Sequence, residues 1–409
     1  MFKNILAGII VFFAAMVVCS VCAGAETYKD FEYSVIGDTC EITGYNGDDS
    51  NVKIPSKIDG KKVTSIGERA FLDCKSLNSV TIPKGVTSIG WYAFSGCERL
   101  NSVTIPKGVT LIESSAFSGC TSLKSVTIPK GVTSIGLYAF EGCESLKSVI
   151  IPKGVTSINA GTFLRCTNLE SVTIPKGVTI IDEFAFYGCI HLKSITIPSS
   201  VTSIGHSAFA NTKIVNNTKK DLVYIGKWLI KCKNKELTSV KIKKGTVGIA
   251  DSAFEGYTSL KSVTIPKGVT SIGGFAFSGC ISLKSITIPK GVKSIGDSAF
   301  IECTSLKSVT IPKGVKSISI DTFNGCTSLE SITIPKGVTS IGAYAFKGCT
   351  SLKSISIPSS VTSIGDRAFS DCTSLKDVYY KGSESDWKMI DIDEENAPLP
   401  NVTIHYNSK

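Results

Sequence analysis

A phrase of 23 residues recurs almost unchanged from Lys61 to Thr373, and this repeat limits the possible folds more than any other feature of the chain. Leu123–Ser145 is a representative copy. A phenylalanine marks each copy, at positions 71, 94, 117, 140, 163, 186, 209, 254, 277, 300, 323, 346 and 369. A fixed period of about 20 to 50 residues indicates a solenoid, in which each unit buries its apolar face only against its neighbours. The sequence therefore predicts stacked coils around one continuous core.

Each copy carries the pattern of a short strand followed by a turn. Apolar and polar residues alternate from Ser125 to Ile128, which is the period of a half-buried strand. Pro129 ends the strand because proline has no N–H for a ladder hydrogen bond. A second short extended segment carries Val132 inward, and the residues before Phe140 are expected to form one tight helical turn. The predicted fold class is a repeat solenoid, mainly β with short helical turns.

The repeated residues resemble a known family. The pattern Cys-x-x-Leu-x-x-Val-x-Ile-Pro-x-x-Val-x-x-Ile-x-x-x-Ala-Phe, which covers roughly residues 60 to 380, resembles the BspA-type, or treponemal-type, leucine-rich repeat. The resemblance implies a leucine-rich-repeat-like solenoid of 23-residue units. Members of the family are typically surface or secreted proteins of bacteria and some parasitic protists. The resemblance thus implies adhesion to host matrix, to other cells or to glycoprotein ligands.

The chain divides into six segments. Lys3, an apolar run over residues 5–18 and a small-residue site ending at Ala25 are typical of a secretory signal peptide. A membrane anchor is disfavoured because a spanning helix needs about 20 apolar residues. The expected segments are a signal peptide (1–25), an N-terminal β cap (26–60), a first repeat block (61–210), a divergent repeat with an insertion (211–250), a second repeat block (251–375) and a C-terminal cap (376–409).

The divergent segment 211–250 departs from the repeat in both length and charge. The step from Phe209 to Phe254 is 45 residues, nearly two repeats, which leaves room for one degenerate unit. Two strand-like stretches flank Gly226, which favours a hairpin. Ten lysines oppose only Asp221 and Glu236. Two interpretations stay open: a variant coil that tolerates an insertion, or a dedicated binding knob.

Lysine dominates the positive charge of the chain. The formal net charge is +10, and four of the 44 basic residues are arginine. Nucleic-acid readers usually rely on arginine, so a nucleic-acid partner is not expected. One lysine per coil follows the proline and forms a predicted basic ladder: Lys84, Lys107, Lys130, Lys153, Lys176, Lys267, Lys290, Lys313 and Lys336. Such a ladder either keeps the β-rich surface soluble and unpaired or attracts polyanions such as sulfated or sialylated glycans.

The cysteines follow the repeat as well. Thirteen remain after the predicted cleavage site, and eleven are in phase, at 74, 97, 120, 143, 166, 189, 280, 303, 326, 349 and 372. Cysteines of secreted proteins often form disulfides, and stacked coils are close enough for bridging. Ladder residues nevertheless point the same way, whereas a disulfide needs side chains turned towards each other. Buried free thiols that act as small hydrophobes are therefore expected.

The two positions before Ala-Phe vary in almost every unit, and several hold aromatic residues. The candidate ligand contacts are Trp91, Tyr92, Tyr138, Phe184, Phe275 and Tyr344. Tyr92, Tyr138 and Phe184 occupy alternate coils and are expected to stand roughly 10 Å apart on one edge. Spaced aromatic side chains on a rigid surface are suited to binding. The alternative is ordinary packing over the turns.

No residue pattern favours catalysis. His191, His206 and His405 occupy unrelated phases of the repeat, and no metal-ligand spacing or phosphate-binding loop is present. The chain is therefore expected not to be an enzyme and to need no metal or cofactor. The favoured function is a secreted or cell-surface binding scaffold or adhesin, a monomer that recognises an extracellular protein or glycan. The alternative is a structural cell-envelope protein with no specific ligand.

Overall fold

A computed structural model describes residues 26–393, 395–396 and 399–408. The predicted signal peptide at 1–25 lies outside these residues. The described chain is a β-solenoid whose coils match the 23-residue repeat, as the sequence predicted.

The first hydrogen-bonded ladder, ladder A, consists of the Ser-x-Thr strands. Equivalent residues of successive strands lie side by side in parallel register, for example Val126 beside Val103. In each repeat strand the middle residue is buried and its neighbours point outward, which confirms the predicted alternation. The strands of ladder A are Asn51–Lys53, Ser79–Thr81, Ser102–Thr104, Ser125–Thr127, Ser148–Ile150, Ser171–Thr173, Ser239–Lys241, Ser262–Thr264, Ser285–Thr287, Ser308–Thr310, Ser331–Thr333, Ser354–Ile357, Asp377–Tyr380 and Thr403–His405.

The second ladder, ladder B, contains the second extended segment of each coil. Its strands are mostly two residues long, and their isoleucines stack in parallel register, as Ile112 does beside Ile89 and Ile135. The strands of ladder B are Lys61–Ile66, Ser88–Ile89, Leu111–Ile112, Ser134–Ile135, Ser157–Ile158, Ile180–Ile181, Ser203–Ile204, Gly248–Ile249, Ser271–Ile272, Ser294–Ile295, Ser317–Ile318, Ser340–Ile341, Ser363–Ile364 and Asp391–Ile392.

The turn that carries the phenylalanine forms a third backbone ladder, ladder C, instead of a helix. Tyr92 N–H donates to Ser114 O at 3.1 Å, Phe94 N–H donates to Ala116 O at 2.8 Å, and Gly96 N–H makes the third bond. The same three bonds recur in the coils whose phenylalanines are 71, 94, 117, 140, 163, 186, 254, 277, 300, 323 and 346. Tyr92 and Gly96 are left-handed, with φ of 55° and 73°, so a right-handed helical turn cannot form. The turn bonds to the next coil and also closes on itself, as Ser95 N–H does by donating to Tyr92 O at 3.0 Å.

Phenylalanine and cysteine fill the interior of each coil. Consecutive Phe rings are stacked with centroids 5.0 to 5.7 Å apart, a geometry that adds about 0.5 to 1.5 kcal/mol per pair beyond area burial. Each in-phase cysteine from Cys97 onward donates its S–H to the Phe carbonyl of the preceding coil, as Cys120 Sγ does to Phe94 O at 3.2 Å. Burial raises the pKa of the Cys120 thiol to about 12. The interior is therefore dry and its thiols are protonated.

The prediction of free thiols is confirmed for the described cysteines. All thirteen are free, and only Cys74, in the first coil, is partly exposed. The S–H groups of the in-phase cysteines from Cys97 onward point at carbonyls one coil back, whereas Cys40 donates to Lys62 O and Cys232 to Asn234 O. Each of these cysteines thus acts as a small apolar side chain with one weak hydrogen-bond donor.

The array is interrupted in the divergent segment, and this corrects the expectation of one continuous core. The buried apolar residues form two clusters, one for each repeat block. A short helix, Lys213–Asn216, is followed by the predicted hairpin, Leu222–Ile225 and Trp228–Cys232, which turns at Gly226. The hairpin divides the core because Trp228 packs into the first cluster and Leu229 into the second. No phenylalanine bridges the two stacks in this unit.

Both ends of the array carry additional strands. At the N-terminal end Glu26–Tyr28, Phe31–Ile36 and Thr39–Tyr45 are antiparallel, Thr39–Tyr45 pairs in parallel with Lys61–Ile66, and Lys57–Ile58 pairs antiparallel with Lys61–Ile66. At the other end the chain forms two further short elements besides its strands: an α-helix, Glu384–Lys388, and a 3-10 helix, Leu399–Asn401.

Candidate functional site

The residue two positions before the repeated phenylalanine of each coil projects from ladder C, and we call these positions the ridge. All thirteen have φ between 50° and 60°. The ridge residues are Arg69, Tyr92, Ser115, Tyr138, Gly161, Phe184, Ser207, Ser252, Phe275, Ser298, Asp321, Tyr344 and Arg367. Left-handed backbone costs a residue other than glycine about 1 kcal/mol or more. Tyrosine and phenylalanine at these positions therefore work against local backbone preference.

Some of the candidate aromatic side chains are widely exposed. Trp91 is 50% exposed, Tyr92 40% and Phe275 42%. Trp91 Nε1 donates to Glu113 Oε2 at 2.7 Å, and the Arg69 guanidinium lies 5.7 Å from the centre of the Tyr92 ring. These contacts fix the orientation of the rings and leave much of their surface available.

The other candidate rings lean across the next coil and are half-buried. A methyl group at Gly161 would collide with the Tyr138 ring. The Phe184 ring meets His206 edge-on at 5.6 Å. Tyr344 Oη accepts a hydrogen bond from Arg367 at 3.2 Å. Packing against the next coil therefore accounts for the buried part of each of these three rings.

Small residues separate the aromatic positions of the first block. Ser115 lies between Tyr92 and Tyr138, and Gly161 lies between Tyr138 and Phe184. These three rings, together with Trp91, therefore share one edge of consecutive coils, and we call them the aromatic strip. Phe275 and Tyr344 lie in the second block, so the structure does not bring all six candidates together.

The basic ladder lies at the outer end of ladder A. All nine of its lysines are exposed, and none is within 4 Å of a carboxylate of the described residues. A second row, which sequence reasoning missed, borders the other end of the strands. It contains Lys124, Lys147, Lys193, Lys261, Lys284, Lys307, Lys353 and Lys376, all exposed. In the sequence this second row is visible as the lysine that precedes the Ser-x-Thr strand in most copies.

The three histidines form single contacts between coils. His206 Nδ1 lies 2.8 Å from Ser252 Oγ, His191 Nδ1 lies 2.8 Å from Thr167 O, and His405 Nε2 lies 2.7 Å from Asp377 Oδ1. In the described part of the chain, no three potential ligands come together in a way that would hold a metal ion.

These coils define a leucine-rich-repeat type of solenoid, and proteins of this class typically act as non-enzymatic binding scaffolds. The chain matches the BspA type leucine rich repeat region over residues 46–170, 156–280, 230–326 and 293–388. It belongs to this family. No curated protein matches the chain.

Solved structures of bacterial repeat proteins are similar to the chain. It is 34% identical to a leucine rich cell surface protein from Faecalibacterium prausnitzii, over 91% of this chain and 98% of that one, with a TM-score of 0.47. A leucine-rich repeat protein from Bacteroides ovatus is 28% identical over 93% of this chain and 99% of that one, with a TM-score of 0.44. A T. pallidum leucine rich repeat protein is 35% identical over 46% of this chain and 89% of that one, with a TM-score of 0.44.

Among the residues that the structure describes, no helix has the length and apolar character that a membrane crossing requires.

Proposed function

We propose that this protein is a secreted or cell-surface binding scaffold that recognises an extracellular protein, glycoprotein or glycan through the aromatic strip. One observation carries the proposal: bulky rings occupy left-handed ridge positions where smaller residues suffice. Serine occupies the same positions at Ser115, Ser207, Ser252 and Ser298 with φ between 53° and 56°. Tyrosine and phenylalanine are thus not needed to form the turn.

The strip has the physical properties of a binding surface. Its backbone is held by ladder C hydrogen bonds on both sides, so little conformational entropy is lost when a ligand binds. Trp91 and Tyr92 offer large apolar faces, and aromatic residues often dominate the energy of interfaces. The two lysine rows add a long-range attraction for anionic ligands that salt weakens.

The location proposed for this function rests on the family and on its relatives. The protein from F. prausnitzii is described as a cell surface protein. The chain begins with an apolar segment typical of a secretory signal. Both support an extracellular setting.

The proposal is tested with the triple variant Tyr92→Ser, Tyr138→Ser and Phe184→Ser. Wild type and variant are titrated against immobilised collagen, mucin and heparin, and melting temperatures are measured in parallel. We expect binding of at least one probe to weaken about tenfold or more, and the melting temperature to change little. The matched control is Thr104→Ala, Thr127→Ala and Thr173→Ala on ladder A, which is expected to bind as wild type does.

Two results would contradict the proposal. One is a lower melting temperature with unchanged affinity per folded molecule, which would assign the rings to packing. The other is wild-type protein that binds none of the probes, which would favour a structural envelope role.

A further inference from the structure

Ladder C stops inside the chain, at Ser207, Phe209 and Asn211. In the preceding coil Phe186 N–H donates to Ala208 O at 2.8 Å. The N–H groups of Ser207, Phe209 and Asn211 meet no acceptor among residues 26–393, 395–396 and 399–408. Phe209 is buried, and an unpaired buried N–H costs about 1 to 3 kcal/mol. Ser207 is half-buried and Asn211 is exposed, so the unpaired group that needs an explanation is the N–H of Phe209.

The facing coil leaves acceptors unused. The carbonyls of Asp251 and Glu255 accept no hydrogen bond within the described part of the chain, although the equivalent carbonyls of interior coils each accept one. Between them, the carbonyl of Ala253 accepts from Cys232 N–H at 3.0 Å. The end of the hairpin runs beside the facing coil, because Leu229 O accepts from Ala250 N–H at 2.8 Å and Cys232 makes the bond to Ala253. The hairpin thus fills part of the next rung, and the open side of the gap is the donor row of the preceding coil.

A cavity of about 460 Å³ occupies this gap. It is lined by the turn at residues 205–210, the turn at residues 250–257 and the end of the hairpin. Val215, Ile230 and Ala253 give it an apolar floor, and the exposed lysines Lys231 and Lys235 stand at its edge. Asp251 and Glu255 also line the cavity. The gap thus combines a row of backbone donors, an apolar floor and charged side chains of both signs, of which lysines are the more numerous.

The other end of the same ladder is closed differently. Phe369 N–H, the equivalent of Phe209 N–H, donates to Asn396 Oδ1 at 3.3 Å. Asn396 Nδ2 in turn donates to Gly365 O at 3.0 Å and to Asp393 O at 2.9 Å. At this end a side chain covers the central N–H, while the N–H groups of Arg367 and Asp371 meet no acceptor among the described residues. The internal end differs in that the central N–H, that of Phe209, has no such cover among these residues.

We infer that the gap is a binding site for an extended peptide with acidic side chains, which adds to the open donor row of ladder C. The carbonyls of the peptide accept from the N–H groups of Ser207, Phe209 and Asn211. Addition of a backbone segment to an open ladder is a common mode of peptide recognition, with main-chain bonds giving affinity and pockets giving specificity.

The lysines of the segment 211–250 favour acidic peptides, and the carboxylates of Asp251 and Glu255 on the facing turn oppose this preference. Lys231 and Lys235 are exposed and flank the gap. Lys233 is occupied, since its Nζ donates to Asn216 O at 3.3 Å and to Thr218 O at 2.8 Å. The basic segment 211–250 therefore has a role in this inference, because it lines a gap that the regular repeat does not contain.

The probe is a fluorescein-labelled peptide, Asp-Ser-Ala-Phe-Glu-Gly-Tyr, which copies residues 251–257, an acidic segment that already forms a rung of ladder C. Binding is measured by fluorescence anisotropy on the full protein. Amide hydrogen exchange of Ser207, Phe209 and Asn211 is followed at the same time. We expect these amides to exchange faster than Phe186 in the free protein and to become protected when the peptide binds.

Two pairs of variants test the geometry and the charge. Ser207→Tyr should raise the dissociation constant about tenfold or more, because ridge tyrosines such as Tyr138 lean towards the next coil, which here is the gap. Its control, Ser207→Ala, keeps the backbone N–H and should bind as wild type does. Lys231→Glu with Lys235→Glu should weaken binding by up to about fivefold. The matched pair Lys241→Glu with Lys244→Glu lies in the same basic segment but does not line the cavity.

Three results would overturn the inference. In the first, the three amides of the free protein are as protected as Phe186. In the second, the peptide binds without protecting them. In the third, a peptide methylated on alternate backbone nitrogens binds equally well, or sulfate displaces the peptide at equal concentration, so that charge alone explains the binding.

Discussion

The stack of turns ends twice, and the two ends differ although the same backbone groups are exposed at each. At the C-terminal end Asn396 accepts from Phe369 N–H, and Glu395 forms an ion pair with Arg367. At the internal end Phe209 N–H faces a cavity between the two repeat blocks. A solenoid must close its terminal coils to remain soluble and unpaired. Within the described chain, the internal end is instead left without a side chain that accepts from its central N–H.

The difference also shows how a repeat protein can form a pocket. Every regular coil is filled by its neighbour, so its interior holds mainly Phe, Ala, Cys and aliphatic side chains, with Thr162 and Thr322 in the place of alanine in two coils. A unit that lacks the phenylalanine and inserts the hairpin, Leu222–Ile225 and Trp228–Cys232, pairs with ladder B on one side only, at Gly248–Ile249, and ladder C opens beside it. The pocket is a local consequence of replacing one turn.

The largest effect is expected from removing a stacked ring. Phe140 lies between Phe117 at 5.4 Å and Phe163 at 5.7 Å, so Phe140→Ala should lower the free energy of unfolding by about 4 kcal/mol. Phe209 and Phe369 each stack on one ring of the Phe column, and their replacement by Ala should cost about 1 kcal/mol less. Denaturant titration of the three variants measures this, and equal losses would show that the ends are packed as tightly as the interior.

The next largest effect concerns the capped end. Asn396→Ala removes the acceptor of Phe369 N–H and two further hydrogen bonds, so a loss of about 2 to 3 kcal/mol is expected. Asn396→Asp keeps the acceptor and should lose less. Calorimetric melting of both variants distinguishes them. If Asn396→Ala leaves the melting temperature unchanged, an unpaired N–H at the end of ladder C costs little stability. The contrast between the C-terminal and the internal end would then be removed.

At the open end, stability should depend on pH through Asp251. Burial raises the pKa of this carboxyl to about 6, with Asp182, Asp297 and Glu183 adding to the effect and the hydrogen bond from Gly274 N–H opposing it. The folded state therefore binds the proton more tightly than the unfolded chain. This contribution is complete below about pH 4 and is lost as the pH rises through 6, by about 1 to 2 kcal/mol.

The variant Asp251→Asn provides the comparison. It keeps an oxygen that can accept from Gly274 N–H but carries no charge. Unfolding free energies of wild type and variant are measured between pH 4 and pH 7. Parallel curves for the two proteins would contradict the expected decline of the wild type.

The smallest expected effect is a difference in the rates at which individual cysteines are labelled. Cys232 lines the cavity, whereas Cys372 belongs to the capped end. Maleimide labelling of native protein, read by mass spectrometry, should modify partly exposed Cys74 first, then Cys232, and Cys372 later. Burial raises the pKa of the Cys189, Cys280 and Cys326 thiols to about 12, so these should react only after denaturation. If Cys372 reacts before Cys232, the internal gap is closed to solvent.

Much of the fold follows from the printed residues because a stacked repeat has few long-range choices. The alternation around Val126, the break at Pro129 and the phase of the cysteines predicted the strands, the corner and the buried thiols. The turn was less predictable. Tyr138 prefers right-handed or extended backbone, and only the hydrogen bonds to the next coil hold it at a φ of 56°.

The candidate site was predictable in composition but not in arrangement. The variable aromatic residues and the basic ladder were visible as columns of the repeat. Which rings are exposed depends on the neighbour in the next coil, since Gly161 makes room for Tyr138. The open donor row at Phe209 had no signal in the sequence, because a missing hydrogen bond is a relation between coils.

The sequence by itself determined the period, the register and the identity of the inward residues, because a strict 23-residue repeat places equivalent side chains on top of one another. Only the tertiary structure decided the left-handed turns, the division of the core at Trp228 and Leu229, and the gap beside Phe209. The physical reason is the same in each case. These features depend on which backbone groups of one coil meet those of the next, and local preference has no part in that pairing.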